Sequence, residues 1–198
     1  MNTQRGATTT TGRGGRGARR RILDTATRLF YHEGINATGV ERLASEASVS
    51  KRTLYQHFPS KTAIVEEYLR EIQQGVGDPI TPGPDADQRE PRARILALFD
   101  SPPVGGPIRG CPFHNAGVEA AEDMPEVQDI VYAHKRNYIN GLVKLAKQAG
   151  AANPKLLGNQ LAVLYDGAAA LSTSLNDRTP WTHARKAAQT LIDQAVSQ

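Results

Sequence analysis

Only Ser48, Val49 and Ser50 separate two segments of helical hydrophobic spacing near the N-terminus, and so short a connection sets consecutive helices at a steep angle, as in helix-turn-helix units. Upstream, Ile22, Ala26, Leu29 and Phe30 recur at i, i+4, i+7 and i+8, the apolar face of a first helix. Gly34 is placed to end that helix at C′, with Ile35 folding back onto its last turn. Thr38 and Glu41 have the spacing of a capping box and predict a second helix from Thr38, buried through Val40, Leu43, Ala44 and Ala47. Ser50 is a natural N-cap for a third helix over Lys51 to Phe58. Pro59 stops it by pushing the preceding residue out of the α region, and Ser60 caps a fourth helix running from Lys61 to about Gln74.

The residues Thr38, Leu43, Ala44, Val49, Ser50, Thr53, Leu54, Tyr55, His57, Phe58, Ser60 and Lys61 together resemble the TetR family of bacterial transcriptional regulators, over roughly residues 20–65. The resemblance implies that Thr38, Tyr55, His57 and Lys61 contact phosphates, where the helix starts at Thr38 and Ser60 add N–H groups aimed at an anion. It also implies that Ser50, Lys51, Arg52 and Thr53 open a recognition helix, where Lys51 or Arg52 reaches guanine O6 and N7. Leu54 and Phe58 read as core. At Arg52 the chain departs from the family, which commonly has a small residue there.

Charge separates the same segment from the rest. Residues 1–62 hold eleven Lys and Arg against four Asp and Glu, a net of +7, while residues 63–198 hold thirteen against sixteen, a net of −3. Duplex DNA binds largely through counterion release, so a basic module on a mildly acidic body is expected to dock by that module. Residues 1–21 carry six arginines, no acid and little that is apolar, and such a segment cannot bury a core. A disordered basic arm over residues 1–19 follows, with Arg19, Arg20 and Arg21 either entering an adjacent minor groove or adding nonspecific affinity. Gly12, Gly14 and Gly17 spell a glycine-rich nucleotide fingerprint, but no strand precedes them and the match is discarded.

Beyond the module the chain reads as helices between clear breaks. Glycine and proline crowd residues 75–84 and 102–107, with a short helix near 88–100 between them. Three longer helices follow. The first carries Val127, Val131, His134, Tyr138, Leu142, Leu145 and Ala149 and ends at Gly150; the second, after Pro154, carries Leu157, Leu161, Leu164, Ala168, Leu171 and Leu175; the third starts near Thr179-Pro180 and carries Trp181, Ala184, Ala188, Leu191, Ile192 and Ala195. The expected architecture is all-α: an N-terminal three-helix helix-turn-helix DNA-binding domain over 20–65 and a larger C-terminal helical ligand-binding and dimerisation domain over 66–198. The resemblance implies a homodimer through the last two helices, which two half-sites about 34–36 Å apart also favour.

It implies, too, a cavity for a small-molecule effector, for which the polar and aromatic residues on apolar faces are candidates: Phe99, Phe113, His114, Asn115, His134, Tyr138, Tyr165 and Asp166. Each is also explained as a satisfied core residue. Cys111 reads first as a buried, inert thiol and only second as a redox sensor. The expected mechanism is a population shift, in which effector binding lowers operator affinity by about 1–3 kcal/mol of coupling and relieves repression.

Other classes are weaker. The five histidines, at 32, 57, 114, 134 and 183, include no i,i+4 pair for a metal, and no nucleophile elbow or phosphate loop stands in its proper context. Neither enzyme activity, metal nor cofactor is expected. No apolar run approaches the roughly 20 residues of a membrane span, and no secretory hydrophobic region follows the arginines, so a cytoplasmic location is expected. The alternative is a helical interaction module that binds DNA only nonspecifically through its arginine-rich arm.

Overall fold

A computed structural model describes residues 14–76, 89–100, 108–120 and 123–196, and these contain helices but no strand. The elements are α1 (Gly14–His32), α2 (Val40–Glu46), α3 (Lys51–His57), α4 (Lys61–Val76), α5 (Pro91–Ala97), α6 (Pro112–Ala120), α7 (Pro125–Gln148), α8 (Pro154–Leu175) and α9 (Thr179–Val196).

Two buried clusters organise them. The first gathers Ile22, Ala26, Leu29 and Phe30 of α1, Leu43 of α2, Leu54 of α3 and Ile64, Tyr68 and Leu69 of α4, and runs on into Phe113, Ala116 and Ala120 of α6 and Val127 of α7. The second joins Ile95 and Phe99 to Leu142 and Leu145 of α7, Leu161 and Ala168 of α8, and Trp181 and Ile192 of α9. Packing is therefore continuous across residue 65: the helix-turn-helix unit sits on α6 and the start of α7 rather than hanging from a linker.

Several expectations need correction. The basic arm expected to be disordered over residues 1–19 lies outside the described residues as far as residue 13, but residues 14–19 are already helical. Ala18 is buried and the Arg19 guanidinium lies 5.0 Å from the centre of the Phe58 ring, so tertiary contacts extend the helix past the point where composition would stop it. The capping box does not form. Thr38 is buried and its hydroxyl donates to the Gly34 carbonyl at 2.8 Å, while α2 begins at Val40 behind Gly39, which has no side chain to cap it. A buried hydroxyl takes the nearest internal acceptor, and here that is the end of α1. On α8, Leu157, Leu161 and Ala168 are buried as expected, but Leu171 and Leu175 are 54% and 63% exposed. The stripe steps by 3.5 residues while the helix turns by 3.6, so a drift of about 20° per heptad carries its far end out of the core. The segment from Pro112 to Ala120 is the helix α6.

Where α7 and α8 cross, a Cβ built on Gly158 would lie 2.8 Å from the Val143 backbone nitrogen and 2.9 Å from its Cα. Backbone cannot move as a side chain can. Gly158→Ala should therefore lower stability by about 1–3 kcal/mol, read as a lower denaturant midpoint at unchanged slope.

Candidate nucleic-acid interface

The reader is built from α2, α3 and the turn between them. At the end of α2 the Val49 N–H donates to Ala44 O at 2.9 Å and the Ser48 N–H to Ser45 O at 3.1 Å, which is a Schellman closure with Ser48 at C′. Ser48 takes φ +53° there. Ser50 then caps α3, its hydroxyl oxygen accepting from the Thr53 N–H at 3.0 Å and lying 2.9 Å from the Thr53 hydroxyl. Ser60 caps α4 in the same way, accepting from the Ala63 N–H at 3.0 Å. The inner face of α3 is fixed by Leu54, with Phe58 just beyond its end; both are buried. That leaves Ser50, Lys51, Arg52 and Tyr55 exposed and Thr53 and His57 half-buried.

The basic residues of this surface differ in how far they are committed. The Lys51 ammonium pairs with the Glu41 carboxylate of α2 at 2.5 Å. Arg28 pairs with Glu46, and Arg42 with both Glu33 and Glu46; these guanidiniums hold the Glu46 carboxyl below the usual carboxylate range. Arg52 makes no hydrogen bond or ion pair with any described residue. The side chains of Arg19 and Arg20 are tied back to α4 through Glu67 and Glu71, and the Arg21 Nε donates to Ala47 O at 3.1 Å. None of these three is a free arm residue. Lys61 is half-buried at the start of α4, where desolvation pulls its ammonium below the ordinary lysine range against the field of Glu119.

Glu119, a residue the sequence pattern does not single out, joins the reader to α6. Its Oε2 accepts from the Asn36 N–H at 2.8 Å and its backbone carbonyl accepts from Asn36 Nδ2 at 2.9 Å. Gly34 makes room for it, because a Cβ there would lie 2.9 Å from Glu119 Oε2, and its φ of +106° also favours glycine.

The eight candidate effector residues do not converge on one site. Phe99, Tyr138, Tyr165 and Trp181 form an aromatic cluster in the second core, with Tyr165 at 5.1 Å from Trp181 and 5.2 Å from Tyr138 between ring centres. Burial pushes the Tyr165 hydroxyl up to about 12. Phe113 and His134 stack in parallel at 3.5 Å. Asp166 pairs with Lys135 at 2.5 Å, whose ammonium lies 3.9 Å from the Cys111 sulfur. His114 and Asn115 instead line an open cleft of about 310 Å³ with Arg109, Tyr31 and Glu119, at the seam between α1 and α6. Among the described residues no group of three or more His, Cys, Asp or Glu side chains is gathered for a metal ion, and no helix is long and apolar enough to cross a membrane.

Residues 22–68 match the family described as bacterial regulatory proteins, tetR family. Among curated proteins, the chain is 35% identical over 86 residues to the HTH-type transcriptional activator FasR of Mycolicibacterium smegmatis, a match covering 41% of this chain and 39% of that protein. It is 43% identical over 61 residues to the HTH-type transcriptional repressor KstR2 of Rhodococcus jostii, covering 31% of this chain and 29% of the relative. The match thus spans less than half the length of either relative. Among solved structures, the TetR-family transcriptional regulator SCO4454 of Streptomyces coelicolor superposes with a TM-score of 0.78 at 28% identity, over 91% of this chain and 97% of that one.

The left-handed conformation of Ser48 costs an L-residue about 1–2 kcal/mol, against roughly 0.5–1 kcal/mol of extra unfolded-state entropy for glycine. Ser48→Gly should accordingly raise stability by about 0.5–1 kcal/mol in chemical denaturation. A loss of stability would mean that the Ser48 side chain contributes more than its backbone conformation costs.

Proposed function

From the TetR family, to which its recognition module and its fold assign it, we propose that this chain is a DNA-binding transcriptional regulator that acts as a repressor, a homodimer on a palindromic operator released by a small-molecule effector. The observation that carries this reading is the first turn of α3. There Arg52 is exposed and free of any described partner, on a helix whose other face is locked into the core by Leu54. A guanidinium held this way is matched to guanine O6 and N7 in a major groove.

In this reading Tyr55, His57 and Lys61 flank the base contact and fix register on the phosphates, Lys51 stands beside Arg52 at the base edges, Ser50 and Thr53 hold the first turn in shape, and the N–H groups behind Ser60 add an anion site. Thr38 acts through the turn it stabilises, since its hydroxyl is engaged internally. Arg19, Arg20 and Arg21 orient the start of α1, and residues before them supply the arm. The reader, residues 20–65, rides on residues 66–198.

Dimerisation uses α8 and α9. Val163, Leu171 and Leu175 are exposed on α8 at 74%, 54% and 63%, and a Cβ at Gly167 would meet nothing within 4 Å. An apolar face with small residues admits close approach of a second copy, and two-fold symmetry then sets half-site spacing. The effector is taken by the body, where the aromatic cluster around Tyr165 offers apolar lining and the Phe113–His134 stack, the Asp166–Lys135 pair and the His114–Asn115 cleft are separate candidate contacts. It lowers operator affinity by preferring a dimer whose readers are spaced differently. Of the two curated relatives named above, one is called a repressor and the other an activator, so a reporter fused to the selected operator decides the sign. A role on DNA fits a cytoplasmic location.

Selection from genomic fragments should return a palindrome. Arg52→Ala and Tyr55→Ala are each expected to weaken it by about 1–3 kcal/mol, roughly 5–150-fold, in fluorescence anisotropy. No selected site, with equal binding by the variants, would leave only nonspecific association. Val163→Asp with Leu171→Asp should give a folded monomer in sedimentation that has lost operator binding; a persistent dimer would move the interface elsewhere.

A further inference from the structure

The sequence pattern enlists Glu41 for a capping box in which the structure gives it no part. Thr38 turns inward to the Gly34 carbonyl, so no capping box engages Glu41. Its carboxylate points to solvent instead, with the side chain 70% exposed, and pairs at 2.5 Å with Lys51, the first residue of the recognition helix, itself 53% exposed. Lys51 thus differs from its neighbour Arg52, which is exposed and has no partner among the described residues.

An acidic group beside the base-reading turn is repelled by every phosphate it approaches. An exposed ion pair is worth only about 0–1 kcal/mol, so nothing about stability requires this one. Its effect falls on DNA. While Glu41 holds Lys51, the pair is close to neutral toward a phosphate and releases no counterion. Toward a base edge the same pair offers a cationic donor next to an anionic acceptor. A G·C pair presents the complement in the major groove, guanine O6 and N7 as acceptors and the cytosine N4 amino group as donor.

We propose that Glu41 is a specificity-determining residue, which withholds Lys51 from phosphates and, with Lys51, selects one G·C pair in each half-site. The inference rests on the DNA-reading function proposed above. It assigns nonspecific attraction mainly to other cations and assigns discrimination to an ion pair. It also predicts that a change removing the negative charge makes the protein bind random DNA better and choose less well.

The test is a double-variant cycle on the full-length chain, with Glu41→Gln, Lys51→Gln and the double variant, each checked for unchanged thermal unfolding. Binding to a random duplex is followed from 50 to 200 mM salt. Glu41→Gln is expected to steepen the slope of log affinity against log salt by about 0.9, one phosphate contact, so its affinity falls about threefold more than the wild type's over that range. Lys51→Gln alone should leave the slope nearly where it is, and the double variant should return to the wild-type value. Repeating the operator selection with Glu41→Gln should relax the G·C preference at one position per half-site. A Glu41→Gln chain that keeps either the wild-type slope or the wild-type base preference overturns the proposal, as does a steeper slope that survives in the double variant. A wild-type chain that binds random DNA with salt dependence but selects no palindrome instead overturns the operator reading, and is distinguished by the wild-type measurement alone.

Discussion

The reader's orientation depends on the grip of α6 on the turn between α1 and α2. Glu119 meets Asn36 through both its carboxylate and its carbonyl, and the Tyr31 hydroxyl donates to Gly110 O at 3.4 Å just before α6 begins. Behind these polar contacts Phe113, Ala116 and Ala120 belong to the same buried cluster as Leu29, Leu43 and Leu54. A packed cluster of this kind is not continuously deformable. When α6 shifts, this buried packing must travel with it, whereas the Asn36–Glu119 bonds are exposed to solvent and add only about 0.5–1.5 kcal/mol each. The helix-turn-helix unit is thus packed directly on α6.

This explains why α6 matters more than its sequence advertises. Its nine residues include two bulky apolar groups, Phe113 and Val118, preceded by glycine, cysteine and proline. Nothing in that pattern distinguishes it from loop. The helix exists because Phe113 has the first core to enter and a parallel His134 ring to stack on, and those partners lie far away in sequence. By contrast, the ends of α3, α4, α7 and α8 are written locally. Ser50, Ser60 and Asn153 cap, and Gly150 closes α7 in the left-handed conformation with φ +84°. Local chemistry makes these legible without knowledge of the fold.

Thr38 marks the boundary between the two kinds of information. A threonine followed three residues later by glutamate satisfies the capping pattern, and in an isolated helix it would be used that way. Here burial removes water as a competitor for the hydroxyl, and the end of α1 offers an acceptor at 2.8 Å. The bond back to Gly34, four residues earlier, prevails because packing buries Thr38, and Glu41 is released to the surface. Arg19 and Arg20 follow a similar logic. Composition presents Arg19 and Arg20 as tail residues, but Glu67 and Glu71 on α4 recur four residues apart, one turn of helix, and face them across the α1 and α4 packing. No local rule pairs residues about fifty positions apart.

Pairing leaves the net charge of the module unchanged, so its long-range attraction for a polyanion persists, but it changes what happens at contact. Counterion release counts cations that reach phosphates, not cations in the sequence. Arg19, Arg20, Arg28, Arg42 and Lys51 each already face a carboxylate, and each must surrender that partner before it adds to the count. A sequence with the same +7 excess and no internal acids would bind every duplex strongly and discriminate poorly. In the proposed reading, distributing Glu33, Glu41 and Glu46 among the arginines and lysine of α1 to α3 lowers the contact term common to all DNA while leaving Arg52 for base edges. Discrimination is a difference between two affinities, and acids in a basic reader act on the one that should be weak.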